Sequence, residues 1–126
     1  MILPAALPFL AAAGCVFAAT YYVDFESGLD SRSGTSPEQS WQHCPGDSAA
    51  TNTAKAKIPQ PGDVFIFKGG VKYPGGLSLA ESSGTATNPI IYDGNTAGTF
   101  GTGSAIISGE RALTNWVRCT SQADAG

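Results

Sequence analysis

Asp24, Glu26, Asp30, Ser31 and Ser33, just ahead of Gly34-Thr35, make the densest run of oxygen-bearing side chains in the chain. Carboxylates at alternate positions in a glycine-containing loop are the donors a calcium ion takes, so Asp24, Glu26 and Asp30 form a candidate calcium set. The spacing is not that of an EF-hand, because serine and leucine fall where that loop needs further ligands. The competing reading is local: Asp24 and Asp30 bond their own backbone in Asx-turns around Gly28 and Gly34.

Acid–base chemistry needs two convergent carboxylates, or a base beside a cation that steadies the developing charge. Asp47, Asp63, Glu81, Asp93 and Glu110 supply the acids, and Lys68, Lys72, Arg111 and Arg118 the bases. Asp63 and Asp93 each sit beside glycine at a strand end, the place for a turn aspartate, and none of the bases adjoins an acidic cluster. Catalytic residues are therefore unknown from the sequence. His43 adjoins Cys44 and a Pro-Gly turn, and no Gly-x-Ser-x-Gly elbow accompanies it, so a polar loop histidine is expected. The glycines do not form a phosphate loop. Trp41, Tyr73, Tyr92 and Trp116 are candidate platforms for sugar rings, against the ordinary expectation that aromatics at strand ends pack inward.

The elements that must hold these groups are short. In PGDVFIFKGGVKYPGG (61–76), a Pro-Gly-Asp turn leads into the continuous apolar run Val64–Phe67, too short for a helix and too apolar for a surface strand. Gly69-Gly70 ends that run. The rhythm returns in NPIIYDGN (88–95) and GSAIISGE (103–110). Strands are expected at Tyr21–Val23, Val64–Phe67, Val71–Tyr73, Leu77–Leu79, Ile90–Tyr92, Ala105–Ser108 and Trp116–Cys119. One short helix is expected at Ala49–Ala56, capped by Ser48 and stopped by Pro59 and Pro61. Continuous runs between glycine corners of variable length favour strands stacked in parallel, coil upon coil, over hairpins. The fold class is all-β: a β-solenoid, with a β-sandwich or jelly roll as the alternative. The aliphatic interior would hold Val64, Ile66, Ile90 and either Ile106 or Ile107.

Residues 1–19 carry no charge and have the length of a secretory h-region, ending in a small-residue site at Val16-Phe17-Ala18-Ala19. The expected leader therefore spans 1–19 and the domain 20–126. The usual basic n-region is missing, and Gly14-Cys15 leaves lipid anchoring at Cys15 or a retained anchor as alternatives. The chain would be secreted, with no membrane contact after cleavage. Net charge is −3, only 13% of residues are charged, and lysine and arginine are scattered, which argues against nucleic acid. In an oxidising compartment Cys44 and Cys119 make an even pair. A Cys44–Cys119 disulfide would close most of the domain into one loop, worth about 4 kcal/mol. Two unpaired thiols are the alternative. A zinc site from His43, Cys44 and Cys119 falls short of a tetrahedral set.

The order Tyr-Tyr-Val-Asp (21–24), Ser-Gly-Leu-Asp-Ser-Arg-Ser-Gly-Thr (27–35), Trp41, Pro-Gly-Asp-Val (61–64) and Gly-Gly-Val-Lys-Tyr (69–73) resembles the opening of secreted right-handed parallel β-helix proteins of the pectate-lyase-like superfamily. Ser-Gly-Thr (83–85) and Asn-Pro-Ile-Ile-Tyr-Asp-Gly (88–94) continue the pattern. The resemblance implies an N-terminal cap, with its helix over the open end, and the first coils of a β-helix that is incomplete at its C-terminal end. It further implies an exported carbohydrate-active protein, a polysaccharide lyase or glycoside hydrolase acting as a monomer on an acidic or plant/algal-type polysaccharide. No cofactor is certain from the sequence; calcium is the one candidate, since lyases of that superfamily use it to neutralise the uronate acid. The resemblance carries no catalytic residue over, and the active groove is expected beyond these coils. A non-catalytic adhesin or polysaccharide-binding solenoid is the second expectation, and a small independent secreted β domain the third.

Overall fold

The computed structural model describes residues 17–79 and 82–110. Its elements run in the order β1 (Thr20–Val23), a short 3-10 turn (Pro37–Gln39), α1 (Asn52–Ala56), β2 (Val64–Phe67), β3 (Lys72–Pro74), β4 (Ile91–Asp93) and β5 (Ile106–Ser108). Strands dominate and helix is slight.

All named strand pairs are parallel. β2 lies between β1 and β4 in a three-stranded sheet, with Tyr21 opposite Phe65 and Phe65 opposite Tyr92. β3 and β5 form a second sheet, with Tyr73 opposite Ile107. From β2 onward the chain alternates between the sheets, each strand pairing with the one laid down two elements later. Hairpins are thereby replaced by crossovers, the connection that parallel neighbours require. The corner after β2 stacks on a later corner: Gly69 N–H donates to Phe100 O and Gly70 N–H to Ser104 O. A side chain at Gly69 would put its Cβ 2.0 Å from Gly103 O, so the close approach of these corners demands glycine.

The core is aromatic rather than aliphatic, which corrects the expected interior. Phe65 and Phe67 are buried, while Val64 and Ile66 are only half-buried. Ile91, Ile106 and Ile107 are 45%, 54% and 61% exposed, on β4 and β5. Ile90 alone among the later isoleucines packs against the core. The reason is phase. Successive residues of a strand face opposite ways, so choosing Phe65 for the inside puts Val64 and Ile66 on the other face. Parallel pairing in register then stacks like on like. The rings of Trp41, Tyr21, Phe65 and Tyr92 form a continuous pile, with centroids 5.0, 5.3 and 5.3 Å apart and planes within 17° of parallel.

Trp41 reaches the pile through a parallel bridge to Val23 at the edge of β1. Its indole N–H donates to Arg32 O at 2.7 Å, and Gly34 lies against the ring. Gly34 has φ +75°, and a Cβ there would sit 2.5 Å from Trp41 Cε2. Gly34→Ala combines left-handed backbone with overpacking, so a loss of about 2–4 kcal/mol is expected. Urea unfolding reads this directly, and a midpoint equal to that of the parent would refute it.

The helix is shorter than expected. The turn before it consumes the first residues: Asp47 N–H donates to Cys44 O, and Asp47 Oδ1 accepts from Ala49 N–H at 2.8 Å. Thr51, not Ser48, stands at the N-cap, and Thr51 makes no side-chain cap bond because its hydroxyl and N–H both serve Asp30. α1 contributes Ala54 to the core cluster, alongside Ala50 from the preceding turn. Leu77 makes only an isolated antiparallel bridge to Asp47 instead of opening a strand. The strands expected at Val71, Ile90 and Ala105 each begin one residue later, and Trp116–Cys119 lies outside the described residues.

Candidate functional site

The loop from Asp24 to Thr35 does not gather its carboxylates at one point. Asp24 is buried: Oδ1 accepts from Glu26 and Ser27 N–H, and Oδ2 takes the Lys68 ammonium at 2.7 Å. Glu26 is exposed. Asp30 turns to other donors: Oδ1 accepts from Gln42 and His43 N–H, and Oδ2 from Thr51 N–H, the Thr51 hydroxyl and His43 Nδ1. Among the described residues, no three His, Cys, Asp or Glu side chains come together in a way that would hold a metal ion. The oxygens of the candidate calcium set at Asp24 and Asp30 are instead spent on backbone amides and on two basic side chains.

The other acids are likewise engaged. Asp63, fully buried, takes Gln60 N–H and the Lys57 ammonium on Oδ2, both at 2.8 Å, and Ala19 N–H on Oδ1. Burial works against the Lys57 charge, but Asp63 and Tyr21 outweigh it and hold the ammonium pKa above its ordinary range. Asp93 accepts from Thr96 N–H and hydroxyl in a tight turn. Lys72 pairs with Glu110 at the surface. Glu81, Arg111 and Arg118 lie outside the described residues.

Among the described residues, the one constellation with the makings of proton chemistry is Asp30–His43, which sequence reasoning missed. Asp30 and His43 are 13 positions apart, and His43 read as an ordinary loop residue. Asp30 Oδ2 meets His43 Nδ1 at 2.9 Å, and Asp30 Oδ1 grips the peptide N–H groups of Gln42 and His43, so the carboxylate fixes both ring and backbone. Burial pushes the Asp30 carboxyl up, but the His43 and Thr51 donors together bring it below its ordinary value. With Nδ1 committed, Nε2 is the nitrogen left to exchange a proton. Phe25 packs edge-on against the imidazole.

His43 lines a cleft of about 130 Å³ shared with Phe25, Phe67, Tyr73, Tyr92 and Leu77. Cys44 also borders it, but burial, then Asp47, push its thiol well above the ordinary range, so it is no nucleophile. Among the described residues Cys44 is in no disulfide, and its expected partner Cys119 lies outside them. The Tyr73 hydroxyl donates to Val23 O at 2.8 Å. Burial raises the Tyr92 phenol, with the Ser82 hydroxyl working the other way, although Tyr92 Oη meets no partner at hydrogen-bond geometry. Trp41 and Tyr73, two of the candidate sugar platforms, are both buried.

No family model, curated protein or solved structure matches the chain. No helix among the described residues is long and apolar enough to cross a membrane.

Proposed function

We propose that this chain forms the N-terminal cap and first coils of a right-handed parallel β-helix in an exported protein that acts on polysaccharide, as a lyase or a glycoside hydrolase. The observation that carries the reading is the alternation of strands between two parallel sheets, with aromatic side chains stacked in register from β1 to β4. A right-handed sense is the rule for parallel strands joined by crossovers. The step from fold to polysaccharide rests on the resemblance of residues 21–94 to the pectate-lyase-like opening and is an analogy of fold.

The exported protein is to be incubated with uronate-containing and neutral polysaccharides. A lyase generates the ultraviolet absorbance of an unsaturated product, and a hydrolase generates new reducing ends. Either result supports the proposal, and the absence of both across the panel overturns it.

A binding solenoid is the second reading. It is favoured by the engagement of Asp24, Asp63 and Asp93 in turns and ion pairs rather than in a reactive pair. It predicts retention on insoluble glycan with no release of sugar.

A further inference from the structure

Asp63 is the most deeply buried acid among the described residues, and one of its bonds reaches back to the start of the described chain. Oδ1 accepts the N–H of Ala19 at 3.2 Å, while Ala19 O accepts the N–H of Val64 at 2.9 Å. Ala19 is thus held at both its backbone polar groups. The residues just before it are not: Ala18 is exposed and Phe17 is 82% exposed. Among the described residues, the change from exposed to anchored backbone falls at the Ala18–Ala19 peptide bond.

We propose that the export leader is removed between Ala18 and Ala19, and that the α-ammonium so created becomes a permanent ion-pair partner of the buried Asp63 carboxylate. The inference rests on the export reading above. In the cleavage an export peptidase adds water across the peptide bond. The C–N bond breaks, the water oxygen goes to Ala18, which leaves as a carboxylate on the leader, and both water protons go to Ala19 N, which becomes an ammonium.

Two arguments select this bond over the next one, which the sequence alone marked as the end of the leader. Small-residue recognition needs compact side chains one and three positions before the cut. Cutting after Ala18 places Ala18 and Val16 there, whereas cutting after Ala19 places the bulky Phe17 in the outer position. Cutting after Ala19 would also strip the fold of both Ala19 bonds, leaving Val64 N–H and Asp63 Oδ1 without them. Cutting after Ala18 keeps both and turns a neutral donor into a charged one, which strengthens the hydrogen bond to a carboxylate.

The groups facing the new ammonium are Asp63, Lys57 on the other carboxylate oxygen, and Tyr21, whose ring lies 4.7 Å from Lys57 Nζ. Lys57 opposes the new charge and Asp63 favours it at closer range. The pairing raises the amine's pKa, so its stabilisation is complete below the unfolded amine's pKa and is lost as pH rises through the folded value.

The full chain with its own leader should be expressed in an exporting host and the first residue of the exported protein read by intact mass. Ala19 is expected. The folded protein should then be acylated at neutral pH, where its α-amine is expected to react several-fold more slowly than in urea, because the paired carboxylate favours the unreactive ammonium. A first residue of Thr20, or a lipidated Cys15, overturns the inference while leaving export standing. Full-length protein retained in the cell defeats the export reading itself. An Ala19 terminus that reacts equally fast folded and unfolded refutes the ion pair. This measurement needs no substitution at Asp63, whose loss would endanger folding.

Discussion

Replacing Phe65 with alanine is expected to cost about 3–5 kcal/mol, the range for emptying a buried aromatic site. Phe65 is wholly inaccessible and is one of the two inner rings of the pile, stacked on Tyr21 at 5.3 Å and on Tyr92 at 5.3 Å. Its removal therefore deletes two ring pairs, each worth about 0.5–1.5 kcal/mol beyond area burial. It also opens a void where β1, β2 and β4 meet, between strands too short to close over it. Domains of ordinary stability have about 5–15 kcal/mol in hand, so this substitution leaves little. Phe65→Leu keeps most of the volume and loses the stacking, and should fall between parent and alanine variant. Urea midpoints for the three proteins measure the series. An alanine variant within about 1 kcal/mol of the parent would mean that the ring pile is not the core.

The pile also shows where sequence reasoning succeeds and where it stops. Val64–Phe67 was legible to the residue because a Pro-Gly-Asp turn and a Gly-Gly corner bracket a continuous apolar run. Which face of that run points inward was not legible, because VFIF has no polar residue to mark the outside. The choice is made by Tyr21 and Trp41, residues remote in sequence whose rings need a flat neighbour in register. The helix start failed for a related reason. Ser48 is a sound cap by type, but Asp30 reaches across from another loop to claim Thr51 N–H and delays the helix. Asp63 was legible as a turn residue from the glycine beside it, and the bonds of Asp24 to Glu26 and Ser27 N–H follow the competing Asx-turn reading, while their lysine partners, Lys57 and Lys68, are set by tertiary packing. The Asp30–His43 contact left no local signature, because nothing in either residue's neighbourhood requires the other.

That contact sets the second large effect. Asp30→Asn is expected to destabilise the protein by about 1–3 kcal/mol at neutral pH, the cost of leaving buried donors without an acceptor. The amide can still accept on one oxygen, but its NH2 group must then face either Thr51 N–H or the Gln42 and His43 N–H groups, donor against donor. The pH dependence follows from the lowered carboxyl pKa of the folded protein. A carboxyl that is easier to ionise folded than unfolded contributes its full stability above the unfolded value, about 3.9. It loses that stability as pH falls through the lower, folded value. The parent should therefore weaken along an acid limb that the asparagine variant lacks at this site, and the gap between the two should narrow from pH 5 toward pH 2. Urea midpoints across that range, with His43→Gln alongside, separate the carboxylate's effect from the imidazole's. Parallel acid limbs in parent and Asp30→Asn would show that the Asp30 charge does not anchor the loop that carries His43.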